Sequence, residues 1–300
     1  MGTLALMLKN LLKSVINFYL IICLWPVTSW AQDHRFTDVT IIVSSCDKYS
    51  FVWEPFFESL FKHWPSLQTT SSKVPIILIS NTKQYNHPRV QTIKIADEIS
   101  WADNMLTALQ QVKTPLVLYL QDDYWLDKRV DENRLAQLAT ILRKGNTAFI
   151  QTSVNDLRFQ NGLAHETVPD MVYRKKFSHY KVSLQAGLWD KASLEYLLRS
   201  GESPWAFEIL GSIRAHGYPK AFLSLVNDEP IHYINASHLG HIVPEAIAYT
   251  KAQNIGFDPG NFPRLGKFNW QISKRTWLER WKKLSGFLKH PELFYEFDAS

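Results

Sequence analysis

The stretch that decides the fold is residues 114–125, TPLVLYLQDDYW. Its apolar run is typical of a strand buried on both faces, and it ends in two adjacent carboxylates, Asp122 and Asp123. In an open α/β sheet, ligands bind just outside the carboxyl ends of the strands. Two neighbouring acids repel each other there unless a positive charge lies between them. The pair therefore predicts a site for a divalent metal that carries a diphosphate.

Short apolar runs alternate with amphipathic segments outward from this strand. Strands are expected at residues 39–44, 74–80, 90–95, 114–121 and 148–154, and helices at 51–64, 100–112, 130–143, 191–199 and 205–216. This alternation predicts an α/β fold with a mostly parallel, doubly wound sheet. The chain after residue 155 is less regular, with a strand-like segment at 181–185, and we expect it to form an irregular C-terminal half. Neither GxGxxG nor GxxxxGK[ST] follows any strand, which removes the main support for dinucleotide-binding and P-loop proteins.

Composition supports one sizeable globular domain, which we place at residues 38–266. The chain has 300 residues, of which 46% are hydrophobic and 20% are charged. A net charge of +5 suits an acidic ligand or an anionic membrane, and it is too small to indicate nucleic acid. The two cysteines, Cys23 and Cys46, form no disulfide framework or metal knuckle and favour a reducing, cytoplasmic compartment.

The two ends of the chain differ from this domain. Residues 1–37 contain an apolar run preceded by lysines, which is consistent with a cleaved secretory signal, a membrane anchor or a mis-assigned start codon. Residues 267–300 contain a basic helix with Trp277 and Trp281 on one face. Such a helix either lies on a membrane surface, here the inner face, or docks on the domain. The protein is expected to be secreted only if the first segment is a cleaved signal.

The acidic pair has a structural alternative, because single acids often cap a helix, and one is expected to begin near Asp127 or Val130. A wholly apolar strand that leads directly into two acids is less common. Hard carboxylate oxygens select Mg²⁺ or Mn²⁺ over zinc. Such an ion would act as a Lewis acid on a departing diphosphate.

Four segments together resemble bacterial glycosyltransferases of the GT-A fold. They are CDKY (46–49), SWADNMLTAL (100–109), LYLQDDYW (118–125) and SPWAFEILGS (203–212). The resemblance covers residues 38–247 and implies an Asp-x-Asp-type motif that holds a metal and a nucleotide sugar. It also implies that the irregular C-terminal half binds the acceptor. It makes Asp123 the metal ligand and Asp122 a contact to ribose or sugar. Gln121 departs from the motif, because an amide stands where the first acid is expected and binds metal weakly.

The resemblance also implies a donor site. Residues after the first strand would seat the base and ribose, with Asp47 accepting ribose hydroxyls, Tyr49 stacking on the base and Cys46 beside them. Trp101 and Asp103 open a helix that points to the same edge of the sheet. The alternatives are an ordinary loop after the strand and, for Asp103, an acid that complements the helix dipole.

Three further residues complete the expected site. Inverting transfer needs a carboxylate that takes the acceptor's proton, and the resemblance assigns that role to Glu208. Trp205 would stack on an acceptor sugar, and His241 would touch metal or diphosphate. A surface helix acid is the alternative for Glu208. For the histidines it is a structural role, since their spacing matches no zinc signature.

The sequence thus predicts an inverting glycosyltransferase that moves a sugar from a nucleoside-diphosphate donor to a hydroxyl of a glycan or lipid-linked acceptor. A non-catalytic secreted carbohydrate-binding module is an alternative, supported by the signal-like N-terminus and the aromatic content of 13%. A nucleotidyltransferase is a second alternative, although residues 44–50 (SSCDKYS) lack the basic, glycine-rich loop expected after its first strand.

Overall fold

The computed structural model of the protein describes residues 36–69, 72–95, 100–154, 162–168, 170–178, 180–238 and 241–261. The basic helix expected in 267–300 and nearly all of the N-terminal segment 1–37 lie outside these residues. The described strands are β1 Val39–Ser44, β2 Ile76–Ser80, β3 Gln91–Lys94, β4 Leu116–Gln121, β5 Tyr124–Leu126, β6 Thr147–Gln151, β7 Leu163–Ala164, β8 Met171–Tyr173, β9 Gly187–Asp190, β10 Ala221–Leu225, β11 Tyr233–Asn235, β12 Ser237–His238 and β13 His241–Ile242.

Nine of these strands form one sheet in the order β3–β2–β1–β4–β9–β6–β10–β8–β7. Strands β3, β2, β1 and β4 are mutually parallel, as are β6 and β10. Strand β9 runs antiparallel between β4 and β6, and β8 runs antiparallel to β10. The predicted α/β class with a mostly parallel sheet is therefore confirmed.

The helices pack on both faces of this sheet. They are α1 Trp53–His63, α2 Pro65–Gln68, α3 Trp101–Gln111, α4 Glu132–Arg143, α5 Lys191–Leu197, α6 Pro204–Ala206, α7 Ser212–Arg214 and α8 Pro244–Gln253, with a π-helical turn at Phe207–Gly211 between α6 and α7. Along β4, Leu116, Leu118 and Leu120 contact the core that contains α1 and α4. Val117 and Tyr119 contact the core that contains α3 and α5. Side chains of a strand alternate between faces, so this division confirms the doubly wound arrangement.

Local signals explain where several helices begin. Ser100 precedes α3, and its hydroxyl accepts a hydrogen bond from the backbone N–H of Asp103 at 3.2 Å, as a helix cap does. Asp131 caps α4 in the same way, by accepting from Arg134 N at 2.9 Å. Each such cap contributes roughly 1 kcal/mol to stability.

The less regular half of the chain differs from the sequence expectation in one respect. Residues 181–185, expected to be a strand, are irregular, and the strand in this region is β9 at Gly187–Asp190. The irregular segment leads into β9 and, as described next, lines the candidate site.

Candidate active site

The acidic pair lies in a tight turn at the carboxyl end of the central strand. Strand β4 ends at Gln121, and after the turn the chain continues as β5, which pairs antiparallel with β11. The backbone N–H of Asp122 donates to Ser44 O at 3.3 Å, and Ala236 N donates to Asp123 O at 2.8 Å. The turn is thus attached to the end of β1 on one side and to the chain after β11 on the other.

Asp122 points into the protein. Its side chain belongs to a residue that is only 6% exposed, and one carboxylate oxygen accepts a hydrogen bond from the Ser45 hydroxyl. That hydroxyl in turn accepts from Trp53 Nε1 at 2.6 Å. Burial, reinforced by the neighbouring charge of Asp123, raises the pKa of Asp122 well above its ordinary value. The turn therefore holds a charge that the protein itself stabilises poorly.

Asp123 has a buried oxygen that the described residues do not satisfy. The Ser237 hydroxyl donates to Oδ2 at 2.9 Å, whereas Oδ1 is buried and has no hydrogen-bond partner. Burial raises the pKa of Asp123. Buried polar atoms in folded proteins nearly always have partners, so an orphaned carboxylate oxygen is a place where a ligand or cation fits.

Two cavities meet at this turn. The small cavity has a volume of about 210 Å³ and the large cavity about 1090 Å³. Asp122 lines the small cavity, Asp123 lines the large one, and Gln121 lines both. The small cavity is lined by Ser44, Ser45, Cys46, Tyr49, Ile79, Trp101, Asn104, Tyr119, Gln121, Asp122 and Pro204. A ligand that extends from one cavity to the other would pass the acidic turn.

The small cavity gathers four of the predicted donor-binding residues, namely Cys46, Tyr49, Trp101 and Asp122. Trp101 is fixed by a hydrogen bond from its Nε1 to Ser44 Oγ at 2.9 Å, and its ring lies 5.3 Å from that of Phe207. Burial, then the charges of Cys46 and the acidic pair, raises the pKa of Tyr49. The Tyr49 phenol therefore stays protonated at neutral pH and can donate a hydrogen bond.

The two other predicted donor-binding residues are engaged elsewhere and do not line either cavity. Asp47 Oδ1 accepts from the backbone N–H groups of Asn81, Thr82 and Lys83 at 3.0, 3.1 and 3.1 Å. Asp103 accepts from the Ser100 hydroxyl and from Gly201 N at 3.1 Å. Asp47 thus holds the loop after β2, and Asp103 holds the start of α3 to Gly201. Both acids therefore support segments near the small cavity without lining it.

The large cavity contains Glu208, the predicted base, in the π-helical turn. Single π-helical turns inside helices are frequent at functional sites. Glu208 Oε1 accepts a hydrogen bond from Leu184 N at 2.8 Å, and Leu184 O accepts from Tyr124 Oη at 3.1 Å and Gln121 Nε2 at 3.3 Å. The backbone of Leu184 thus ties Glu208 to the strand end and to the acidic turn.

Sequence reasoning missed part of this cavity. Tyr233, on β11, stacks on Tyr124 with ring centroids 4.2 Å apart, and its hydroxyl donates to Gln185. The cavity is also lined by Tyr180, Ser183, Ile234, Asn235, Ser237, His238, Val243 and Glu245. The short β5–β11 pairing brings these residues to the turn, and strands of three residues leave almost no periodic signal in the sequence.

Two predicted residues lie outside both cavity linings. Trp205 packs with Ile209 against Ala206 and Leu210. His241 pairs with His238 across the β12–β13 hairpin, and it is His238 that lines the large cavity. The acceptor role of Trp205 and the metal role of His241 stay predictions.

The described residues supply only some of the ligands that a divalent metal needs. Within the described ranges, no group of three or more His, Cys, Asp or Glu side chains is placed to hold an ion. Mg²⁺, however, is usually bound through one or two carboxylates together with substrate phosphates. The unsatisfied Oδ1 of Asp123 is suited to such a shared ion.

The fold and the site together define an α/β protein whose two cavities join at an acidic turn after the central strand. No protein-family model and no curated protein matches the chain. Among solved structures it is similar to S. aureus TarS residues 1–349 in complex with UDP, with 14% identity over 65% of this chain and 59% of that chain and a TM-score of 0.44. It is also similar to the mannosyltransferase PcManGT from Pyrobaculum calidifontis in complex with GDP-Man and Mn²⁺, with 12% identity over 68% of this chain and 58% of that chain and a TM-score of 0.48.

A cytidylyltransferase from Leptospira borgpetersenii is similar at 10% identity over 88% of this chain and 99% of that chain, with a TM-score of 0.42. The chain spans about three fifths of the length of the TarS 1–349 and mannosyltransferase structures. Among the helices of the described ranges, none is long and apolar enough to cross a membrane.

Proposed function

We propose that the protein is a glycosyltransferase that moves a sugar from a nucleoside-diphosphate donor to a hydroxyl acceptor. The observation that carries this proposal is the meeting of the two cavities at Asp122 and Asp123. The small cavity offers aromatic rings and hydrogen-bonding groups to a nucleoside. The large cavity offers room and a carboxylate, Glu208, to the sugar and the acceptor. A donor that lies across the junction places its diphosphate beside the acidic turn.

The donor half of the site follows from the small cavity. Trp101 and Tyr49 present ring surfaces to the base, and Cys46 and Asp122 lie towards the ribose. Mg²⁺ or Mn²⁺ would be held by Asp123 together with diphosphate oxygens, and when bound it supplies positive charge to the leaving group. The described residues supply the other contacts, with the Ser237 hydroxyl orienting Asp123 at 2.9 Å.

Glu208 acts as the general base in this proposal. The acceptor hydroxyl oxygen forms a bond to the anomeric carbon while the bond from that carbon to the diphosphate oxygen breaks. The hydroxyl proton passes to Glu208, and the configuration at the anomeric carbon inverts. The hydrogen bond from Leu184 N holds the carboxylate in place, and the ionised carboxylate is the form that accepts the proton.

The acceptor is proposed to be a glycan or a lipid-linked sugar, since the large cavity is open and lined mostly by polar side chains. Trp205, Asp47, Asp103 and His241 keep the roles predicted for them as part of this proposal, although none of them lines either cavity. A cytoplasmic location, with contact to the inner membrane face through residues 267–300, is proposed on the basis of the sequence alone.

A thermal-shift panel of UDP-, GDP- and CDP-sugars, each with and without Mn²⁺, tests the proposal. A ligand at a hundred times its dissociation constant adds about 2.7 kcal/mol to the free energy of unfolding, which such a scan detects. A shift from at least one donor, together with release of its nucleoside diphosphate, supports transfer. Absence of a shift from every donor contradicts it and favours the carbohydrate-binding alternative.

A further inference from the structure

One polar side chain that lines the small cavity has a buried oxygen that the described residues leave unsatisfied. Asn104 lies on α3, is 5% exposed, and lines the small cavity. Its side-chain oxygen is buried, and none of the described residues donates a hydrogen bond to it. The neighbouring polar groups have partners within the protein, because Trp101 Nε1 donates to Ser44 Oγ at 2.9 Å and Gln121 Nε2 donates to Leu184 O at 3.3 Å.

Folding alone would favour an apolar residue at this position. The buried residues of the same helix are otherwise apolar, namely Ala102, Met105, Ala108 and Leu109. A buried acceptor that lacks a donor costs roughly 1–3 kcal/mol, and an apolar replacement of the same shape avoids that cost. A group that destabilises the protein and faces a cavity is expected where a ligand supplies the missing partner.

A nucleobase can supply the hydrogen-bond donor that the Asn104 side-chain oxygen lacks among the described residues. The amide carries one acceptor and two donors in a plane, so it can pair with a base edge on which an N–H stands beside an acceptor. A cavity of about 150 Å³ binds benzene, so the small cavity, at about 210 Å³, is large enough for a heteroaromatic ring. Tyr49 and Trp101 line the same space and present aromatic surfaces to that ring.

We propose that Asn104 is the residue that recognises the nucleobase, through a bidentate pair in which a base N–H donates to its side-chain oxygen and its amide N–H donates to the neighbouring base acceptor. The inference rests on the proposed function, since it assigns the nucleoside of the donor to the small cavity. It adds that selectivity among bases resides in this one amide, which sequence reasoning did not single out. Residues that contact ribose and diphosphate, by contrast, would treat all nucleotides alike.

The test compares base selectivity in Asn104→Ala and wild type. Dissociation constants for UDP, CDP, GDP and ADP are measured by calorimetric titration with Mn²⁺ present, and the ratio of the weakest to the tightest is calculated. The ligands share ribose and diphosphate, so this ratio isolates the base. We expect Asn104→Ala to reduce the ratio about tenfold or more, because a good bidentate pair to a base discriminates by that much.

Two further variants keep the test decisive. Asn104→Leu fills about the same volume without polar atoms, so it removes the hydrogen bonds to the base but keeps the packing against it. This variant should lose base selectivity, while its melting temperature stays equal to that of the wild type or rises. Gln110→Ala, at an exposed position on the same helix, should change neither quantity. Equal weakening of all four nucleotides, an unchanged ratio, or a wild type that does not discriminate would overturn the role of Asn104. If the wild type binds no nucleotide, the proposed function itself fails. If the wild type transfers sugar but Asn104→Ala leaves the ratio of dissociation constants unchanged, only the proposed role of Asn104 is excluded.

Discussion

Glu208 Oε1 accepts a hydrogen bond from the backbone N–H of Leu184 at 2.8 Å, and this contact links the candidate base to the acidic turn. Leu184 O accepts from Tyr124, which follows Asp123 directly in the chain. Glu208 and Tyr124, which are 84 residues apart in sequence, therefore share one backbone anchor. This anchor fixes the base relative to the place where the diphosphate is expected.

Replacing Glu208 by glutamine should lower the rate of sugar transfer by about 10²- to 10⁴-fold. The amide oxygen can still accept from Leu184 N, so the fold and the affinity for donor should stay near wild type. Steady-state kinetics and donor titration measure the two effects. Glu245→Gln is the matched control, since Glu245 lines the same cavity at an exposed position. Transfer by the Glu208 variant at the wild-type rate would exclude Glu208 as the base.

Replacing Asp123 by asparagine should abolish the increase in nucleotide affinity that Mn²⁺ produces. The amide keeps the shape and the Ser237 contact but removes the charge that a shared cation needs. Titration of the nucleoside diphosphate with and without Mn²⁺ measures the effect. Asp228→Asn serves as control, because Asp228 is exposed and asparagine tolerates its positive φ of 54°. An undiminished Mn²⁺ effect in the Asp123 variant would contradict the assignment.

The segment that carries Glu208 is held by a buried ion pair. Arg214 and Glu202, each with a side chain 1% exposed, join through two hydrogen bonds of 2.7 and 2.8 Å. Arg214→Met leaves the Glu202 carboxylate buried and unpaired, so the free energy of unfolding should fall by roughly 3–5 kcal/mol. Chemical denaturation measures this value.

A partly exposed ion pair offers the comparison for that variant. Lys191 and Glu195 lie 3.4 Å apart at i,i+4 spacing on α5. Glu195→Gln should lower the free energy of unfolding by no more than about 0.5 kcal/mol. If the Arg214 and Glu195 variants lost similar amounts of unfolding free energy, burial would not make the Arg214–Glu202 pair more important for stability.

The start of β1 should make stability depend on acid. Arg143 donates to Asp38 at 2.6 and 2.8 Å and thereby lowers the pKa of that carboxyl below its ordinary value of 3.8. The ionised form is therefore favoured by folding, and its contribution is complete above pH 3.8 and lost as the pH falls through the lowered pKa. The pair is partly exposed, so about 1 kcal/mol or less is at stake.

Denaturation of wild type and Asp38→Asn at pH 7 and pH 3 measures this dependence. The wild type should exceed the variant in stability at pH 7, and the difference should shrink at pH 3. If wild type and variant differed in stability by the same amount at pH 7 and at pH 3, ionisation of Asp38 would not stabilise the folded protein.

Much of the sheet could be predicted because its strands are continuous apolar runs. Strand β1 was expected at 39–44 and lies there, and α3 begins after Ser100 as its cap predicts. The insertion of β9 antiparallel between β4 and β6 could not be predicted. Only four residues form β9, and its neighbours are set by contacts distant in the sequence.

Sequence reasoning could address the part of the candidate site that adjoins strand ends. Cys46, Tyr49, Trp101 and Asp122 lie around one cavity, whereas Asp47 and Asp103, expected with them, do not line it. The donor-binding roles of all six stay predictions. Asn104 was not singled out, because nothing in its sequence context shows that its amide lacks a partner. Tyr233 was missed for a different reason: it reaches the site through β11, more than 100 residues after the strand it pairs with.

A crystal structure of the protein with Mn²⁺ and the nucleotide sugar selected by the thermal-shift panel tests the central claim most directly. We expect the base between Tyr49 and Trp101 in the small cavity, the diphosphate beside Asp123, and the sugar in the large cavity near Glu208. A nucleotide that occupies the large cavity alone, or that lies away from the acidic turn, would contradict the account.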